Sequence, residues 1–268
     1  MSTTEQYFLG IDIGSLTCDG VIIDKDENIV AQSVILTGAK NIEAINDTMK
    51  TLLNKSGLSE RNITSLVSTG YGRERVSNKA ASVTEISCHA KGFNKLYPDV
   101  RLIIDIGGQD SKAIKIGPKG NVLDFAMNDK CAAGTGRFLE AMARALQVDL
   151  TELKDLDIGV TGNLTLSSIC TVFAESEVVS LIAEGVSIKE IAYGLNRAIA
   201  SRTNSLVKRI CQNVENVTVG MSGGVARNSG VVRALNQILS KTLVIPETPD
   251  IIGALGAALF AKEKFSTE

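Results

Sequence analysis

Apolar and polar positions along the chain form the same short pattern twice. In the first copy, the run L-G-I-D-I-G-S at Leu9–Ser15 leads into apolar stretches at Gly20–Ile23 and Ile29–Leu36, which flank the polar turn D-K-D-E-N. Apolar runs bounded by glycine and polar turns are typical of strands. The first copy therefore predicts a buried strand, an Asp-x-Gly turn and a β-hairpin.

The second copy starts with L-I-I-D-I-G-G-Q-D at Leu102–Asp110. It continues through Ala113–Ile116, the turn G-P-K-G-N and Val122–Met127. Because the strand, the turn and the hairpin return in the same order, the chain contains an internal repeat. We predict an α/β protein of two duplicated halves, divided between Pro98 and Asp99.

Helices are predicted where apolar residues recur at helical spacing. The run Ile42–Ser56 has this spacing, and Gly57 follows it as a C-terminal stop. The other predicted helices are 84–96, 137–148, the segment after Cys170, 188–211, 229–240 and 252–262. Further short strands are predicted at 63–69, 217–221 and 243–245.

Composition and charge exclude several classes of protein. Lys plus Arg number 28 against 30 Asp plus Glu, so no basic excess favours nucleic acid or an anionic membrane surface. The first residues, M-S-T-T-E-Q-Y, lack the features of a signal peptide. The longest apolar run, 251–261, is far shorter than the roughly 20 residues that span a bilayer. We expect a cytoplasmic protein that binds neither nucleic acid nor membranes.

The two Asp-x-Gly turns have the composition of a magnesium and phosphate site. An aspartate after a strand can hold hydrated Mg²⁺, while the backbone N–H groups of the following glycines contact phosphate oxygens. One such turn is weak evidence, but two copies are stronger. They predict two lobes that bind a nucleotide between them, together with the glycine-containing segments S-T-G-Y-G-R, S-G-G-V-A-R-N and G-A-L-G-A-A. Gly223 and Gly224 are expected on one side of the adenosine, and Gly253 and Ala254 on the other. Tight helix packing is the alternative explanation for these small residues.

Two cysteines precede predicted helices, Cys131 before 137–148 and Cys170 before T-V-F-A-E-S-E-V-V. A helix N-terminus favours an anion, and thiolate is the form of cysteine that binds metal. There is no C-x-x-C, and His89 is the only histidine. Two thiols per chain cannot complete the four-cysteine shell of an iron–sulfur cluster, whereas two chains can. The alternative is a buried, inert thiol, which we assign to the remaining cysteines, Cys18, Cys88 and Cys211.

Seven segments together closely resemble one known family. They are I-D-I-G-S, S-T-G-Y-G-R, I-D-I-G-G-Q-D, M-N-D-K-C-A-A-G-T-G-R-F, C-T-V-F-A-E-S-E-V, G-G-V-A-R-N-S-G and G-A-L-G-A-A-L. This set resembles the activator ATPases (component A) of 2-hydroxyacyl-CoA dehydratases. These ATPases belong to the BadF/BadG/BcrA/BcrD ATPase family, with activators of benzoyl-CoA reductases and reductases of double-cubane proteins. The resemblance covers almost the whole chain.

The resemblance implies the α/β fold of actin, sugar kinases and Hsp70 chaperones, known as the ASKHA or ribonuclease H-like fold, with two duplicated lobes around a nucleotide cleft. On this chain the lobes would be 1–98 and 99–268, and the second would carry both Cys131 and Cys170. The terminal helix could pack back on the first lobe.

The resemblance also implies a homodimer bridged by one [4Fe–4S] cluster, with Cys131 and Cys170 of both subunits as ligands. ATP binding and hydrolysis would drive a lobe movement. One low-potential electron would then pass to a 2-hydroxyacyl-CoA dehydratase, or to a related double-cubane protein or acyl-CoA reductase, under anaerobic conditions. The implied electron source is ferredoxin or flavodoxin.

Carried over to this sequence, the family's motifs give each turn a role. Asp12 and Asp105 would organise Mg²⁺ through water, Gly107 and Gly108 would contact phosphates, and Gln109 would position the attacking water. The remaining implied contacts to ATP or ADP are Gly14, Ser15, Leu16, Thr17, Gly223, Gly224, Arg227, Gly253 and Ala254.

This chain departs from the family at one place, L-T-C-D-G after I-D-I-G-S. The family usually has Thr directly after the Ser and Lys in place of Asp19, so a phosphate-facing cation is lost. Two other functions on the same fold remain as alternatives, a small-molecule kinase of the sugar-kinase type and a non-catalytic, actin-like assembly module.

Overall fold

The structure is a computed structural model that describes residues 5–38, 40–166 and 170–267. The chain forms two compact units. The first takes the described residues of Met1–Val100, Ile116–Leu123 and Glu247–Glu268, and the second takes those of Arg101–Lys115 and Asp124–Pro246. The predicted lobe 99–268 includes the turn at 116–123 and the segment from 247, whereas contacts group both with the first unit.

Both units contain strands and helices. The strands are β1 Tyr7–Ile13, β2 Thr17–Asp24, β3 Ile29–Leu36, β4 Ile63–Gly70, β5 Ala81–Ser82, β6 Leu102–Ile106, β7 Ser111–Ile116, β8 Val122–Asn128 and β9 Val219–Ser222. The helices are α1 Asn41–Ser56, α2 Glu85–Leu96, α3 Gly136–Leu146, α4 Leu150–Leu153, α5 Thr171–Ala183, α6 Ile188–Ile210, α7 Ser229–Leu239 and α8 Ile252–Thr267. Short 3₁₀ turns lie at Glu60–Asn62, Arg73–Arg75, Gly224–Arg227 and Pro249–Ile251.

β1 lies at the centre of the five-stranded sheet of the first unit, whose order is β3-β2-β1-β4-β5. It pairs antiparallel with β2 and parallel with β4, which confirms the predicted strand and hairpin. Successive side chains point to opposite faces of a strand. Leu9 and Ile11 accordingly pack in the cluster that includes α1, whereas Phe8 packs in the cluster that includes α8. Because both faces are covered, the strand is buried from Phe8 to Ile13 and carries one charged residue, Asp12.

Glycine allows α8 to approach the rest of the first unit closely. A Cβ added to Gly10 of β1 would overlap the carbonyl oxygen of Ala254, and one added to Gly256 would overlap the carbonyl oxygen of Cys88 on α2. Within G-A-L-G-A-A, Ala254, Gly256 and Ala257 are buried in this interface. These contacts support tight packing as the role of much of this segment.

The second unit repeats the arrangement with a four-stranded sheet of order β8-β7-β6-β9. β6 pairs antiparallel with β7 and parallel with β9, so the predicted internal repeat is confirmed. The core of this unit joins Ile104 of β6 to Phe138 of α3, Leu195 of α6 and Leu235 of α7.

Several details of the predicted secondary structure are wrong or incomplete. Leu243–Ile245 is not a strand: Val244 makes one isolated bridge to Gly220, and the apolar pattern there reflects burial of Leu243 in the core. The sequence prediction also missed α4, which begins with a capping box between Asp149 and Glu152. In the described part of the chain, every helix is too short or too polar to cross a membrane.

Candidate functional site

The first Asp-x-Gly turn connects β1 to β2 in the first unit. The N–H of Gly14 donates to the carbonyl of Thr17 at 2.9 Å, and the hydroxyl of Thr37 donates to the carbonyl of Gly14 at 3.0 Å. Residues 14–17 are partly exposed, so the fixed loop presents Ser15 and Thr17 at an accessible surface. Such a loop can offer backbone N–H and hydroxyl groups to an anion.

Asp12, near the end of β1, is buried between two neighbouring strands. It lies opposite Asp19 on β2 and Thr69 on β4. Asp19, also buried, accepts a hydrogen bond from the Thr17 hydroxyl at 2.9 Å. The Nε2 of buried His89 lies 3.8 Å from the Oδ2 of Asp12. Two buried carboxylates therefore face each other beside this turn.

The second Asp-x-Gly turn follows β6 in the second unit. Asp105 lies opposite Lys112 on β7, whose Nζ is 3.2 Å from the Oδ2 of Asp105 and 2.9 Å from the Oδ1 of Asp110. On the other side, the hydroxyl of Ser222 donates to the Oδ1 of Asp105 at 2.9 Å. This aspartate is held by a lysine and a hydroxyl, whereas Asp12 faces another carboxylate.

The glycines of the second turn are tied to the start of α3. The carbonyl of Gly107 accepts the N–H of Gly136, and the carbonyl of Gly108 accepts the N–H of Arg137, both at 2.9 Å. The hydroxyl of Thr135 also donates to Gly108, at 2.9 Å. The turn predicted to touch phosphate is thus hydrogen-bonded to the segment that follows Cys131.

The five cysteines fall into two groups by burial. Cys18, Cys88 and Cys211 are buried, and burial raises the pKa of the Cys18 and Cys88 thiols to about 12, so both are protonated at neutral pH. Cys131 and Cys170 are partly exposed. Thiolate is the reactive form, so the predicted pair has the accessibility that a metal ligand needs.

Both partly exposed cysteines belong to the second unit. Cys131 lies in the loop between β8 and α3, where the side-chain amide of Asn128 donates to its carbonyl at 3.0 Å. Cys170 is the N-cap residue of α5, and α5 packs against α3. The prediction that each thiol precedes a helix is confirmed.

α5 buries little of its surface. Among its residues only Ala174 and Val178 are fully buried, while Val172 and Phe173, two and three positions after Cys170, are 69% and 68% exposed. Val179, seven residues after Val172 and therefore two turns farther along the helix, is also exposed. An exposed apolar strip on a helix is typical of an interaction surface.

Residues 9–261 match the BadF/BadG/BcrA/BcrD ATPase family. The chain belongs to this ATPase family.

Individual relatives agree with that assignment. The 2-hydroxyisocaproyl-CoA dehydratase activator of Clostridioides difficile is 46% identical over 255 residues, which cover 95% of this ATPase and 94% of the relative. A solved structure of the activator of the 2-hydroxyisocaproyl-CoA dehydratase from Clostridium difficile, with bound ADPNP, has a TM-score of 0.90 and 44% identity, and the match covers 97% of this chain and 96% of that one.

A ROK family glucokinase from Streptomyces griseus, in complex with glucose and AMPPNP, shares the fold alone. Its TM-score is 0.59 at 13% identity, over 96% of this ATPase and 99% of the kinase. The predicted fold class, the one that actin and sugar kinases share, is confirmed.

The remaining predicted nucleotide contacts of this ATPase lie in different surroundings. Gly224 and Arg227 are exposed in the 3₁₀ turn after β9. Gly253 is buried against Asp12 and His89 in the first unit, and Ala254 is fully buried. The nucleotide contacts assigned to these residues stay predictions.

Four residues that contact the turns of this ATPase were not indicated by the sequence patterns: Lys112, Ser222, Thr135 and His89. One signal could have found Lys112, because it lies seven positions after Asp105, as Asp19 does after Asp12. Aligning the two repeats would have shown this reversal of charge. The hydroxyls of Ser222 and Thr135 leave no comparable pattern.

Proposed function

We propose that this ATPase activates a 2-hydroxyacyl-CoA dehydratase, or a related double-cubane protein or acyl-CoA reductase, by passing it one low-potential electron. ATP and water would be converted to ADP and phosphate, and reduced ferredoxin or flavodoxin would supply the electron. The proposal is carried by the separation of the cysteines into three buried thiols and a partly exposed pair in the second unit.

Cys131 and Cys170 fit a [4Fe–4S] cluster by the chemistry of their donors. Such clusters are ligated by four thiolates, so one pair from each of two copies would complete the shell. The N-terminus of α5, where Cys170 lies, carries partial positive charge that favours a bound anion. When bound, the cluster would supply one-electron transfer at low potential.

The exposed apolar residues of α5 support a homodimer around these thiols. Val172 and Phe173 lie in the first turn of the helix that Cys170 precedes, and they would be removed from water if a second copy approached there. Burial of apolar surface contributes roughly 25 cal/mol per Å². The same contact that brings four thiols together would thus cover these side chains.

ATP with Mg²⁺ is the proposed ligand of the two Asp-x-Gly turns. Carboxylate oxygens and water suit Mg²⁺, so Asp12 and Asp105 would hold the ion through water. Ser15 of the first turn and the backbone of the second would contact phosphates. Gln109, which is exposed, would position the attacking water. These roles suit phosphoryl transfer, which depends on positioning and neutralisation of charge.

Iron analysis of anaerobically purified protein tests the cluster. We expect about four irons per two chains, and loss of the iron and of the brown colour in Cys131→Ala and in Cys170→Ala. Cys211→Ala is the matched control, because it removes a thiol of the same unit that is buried, and it should keep its iron. Iron retained in Cys131→Ala would overturn the ligand assignment.

Electron delivery requires a separate assay. A 2-hydroxyacyl-CoA dehydratase mixed anaerobically with this protein and a reduced flavodoxin should become active only when MgATP is present. Equal activation without ATP would contradict the proposal. Phosphate transfer from ATP to an added sugar would also contradict it and would favour the kinase alternative.

A further inference from the structure

We propose that Thr135 is a positioning residue that couples the second Asp-x-Gly turn (the phosphate turn) to the loop that carries Cys131. Thr135 is fully buried and lies four positions after Cys131. The inference rests on the proposed function, because it assumes that the Gly107–Gly108 turn contacts nucleotide phosphate and that the Cys131 loop is the part that must respond.

The hydroxyl of Thr135 faces two carbonyls. Its Oγ1 lies 2.9 Å from the oxygen of Gly108, in the phosphate turn, and 2.6 Å from the oxygen of Ala132, next to Cys131. A hydroxyl has one proton and can donate fully to only one acceptor at a time. The two contacts therefore compete, one holding the turn and the other holding the cysteine loop.

Neither carbonyl loses its last hydrogen bond when the proton moves. Gly108 also accepts the N–H of Arg137 at 2.9 Å, and Ala132 also accepts the N–H of Thr135 at 3.0 Å. A buried carbonyl without any partner would cost about 1–3 kcal/mol. Since both keep a donor, the hydroxyl can change acceptor without that penalty, and a small shift of the turn can decide between them.

Thr135 does not use its side chain for the usual purpose of its position. It is the N-cap residue of α3, where a threonine oxygen normally accepts an N–H of the first turn and stabilises the helix by about 1 kcal/mol. Here it makes no such capping bond, although its backbone is extended, as in a normal N-cap. The hydroxyl is directed to the two loops instead.

Hydrogen exchange in the full-length protein as purified tests the coupling without using the cluster as readout. Protection of a peptide over 129–137 is measured with MgADP and with a non-hydrolysable ATP analogue. In the unmodified protein we expect the exchange rate to differ several-fold between the two nucleotides. Thr135→Val, which keeps the shape and removes the hydroxyl, should abolish this difference, and Thr135→Ser should restore it.

Thr203→Val is the matched control, because Thr203 is a buried threonine of α6 in the same unit, and it should retain the difference. A difference that persists in Thr135→Val, or that Thr135→Ser fails to restore, would overturn the coupling. If Thr135→Val does not fold, identical exchange of the Arg137 N–H with both nucleotides in the unmodified protein would overturn it equally.

Failure of the coupling is distinguishable from failure of the proposed function. Protein that contains iron but shows no nucleotide-dependent exchange would refute the role of Thr135 and leave the cluster assignment intact. Protein without iron that still shows the dependence, its loss in Thr135→Val and its return in Thr135→Ser would support the coupling and refute the cluster.

Discussion

The two Asp-x-Gly turns have the same strand pairing, but the residue opposite the aspartate differs in charge. In the first unit the residue across from Asp12 is Asp19, and in the second unit the residue across from Asp105 is Lys112. Like charges directly opposite one another destabilise a sheet, whereas opposite charges stabilise it. Duplication has therefore kept the geometry of the turn while the charge beside the aspartate has reversed.

Two glycines show how far the geometry is kept. Gly70, the last residue of β4, has φ of +82°, and Gly223, directly after β9, has φ of +83°. A Cβ on Gly70 would lie 2.6 Å from the carbonyl oxygen of Ile13, and one on Gly223 would overlap the carbonyl oxygen of Ile106. Corresponding strand ends thus meet in the same way in both units, so differences between the turns arise from side chains.

Replacing Lys112 should produce the largest effect. Lys112→Met leaves Asp105 and Asp110 buried without their cation, and breaking a buried ion pair from one side costs about 3–5 kcal/mol. Urea unfolding measures this loss. Lys95→Met, which removes a more exposed pair with Glu27, is the control and should cost about 0–1 kcal/mol. Similar losses in both variants would contradict the importance of charge at the second turn.

Alanine at the two glycines should give intermediate and nearly equal effects. Gly70→Ala and Gly223→Ala each force a left-handed backbone and a steric overlap, and we expect each to lower the free energy of unfolding by about 1–3 kcal/mol. Gly57→Ala separates the two causes, because Gly57 has φ of +70° but no atom within 4 Å of an added Cβ. If Gly57→Ala costs as much as the others, overlap contributes nothing.

Removing the charge of Asp19 should have the smallest effect and the opposite sign. Asp19→Asn relieves the repulsion across from Asp12, so in EDTA the free energy of unfolding should rise by about 0.2–1 kcal/mol. Added Mg²⁺ should then stabilise the variant less than it stabilises the unmodified protein. Asp26→Asn, at an exposed position of the β2–β3 turn, is the control. An unchanged response to Mg²⁺ would show that the reversal of charge does not affect the first turn.

The sequence predicted the repeat because its signals are local. Apolar runs that end in Asp-x-Gly define β1 and β6, and Gly57 ends α1 in the left-handed conformation that favours glycine. Burial of Cys18, Cys88 and Cys211 was also expected from their positions in the pattern.

Contacts between distant positions could not be predicted in the same way. The apolar run at Leu243–Ile245 resembles a strand, but only tertiary packing determines that Val244 makes a single bridge. The bond from Ser222 to Asp105 and the two bonds of Thr135 depend on how turns meet after folding. Hydroxyl residues are common in loops, so their identity alone carries no information about these partners.

The close fit of α8 against β1 also determines when the first unit can fold. Gly10 meets Ala254, and almost the whole sequence lies between them. During synthesis, most domains fold in order from the N-terminus, but this one must wait for its last helix while the second unit is being made. Its contact order is therefore high, which slows folding. A ribosome that stalls before residue 247 would leave Phe8 and Val67 without their partners on α8, as an exposed apolar surface open to chaperones or to aggregation.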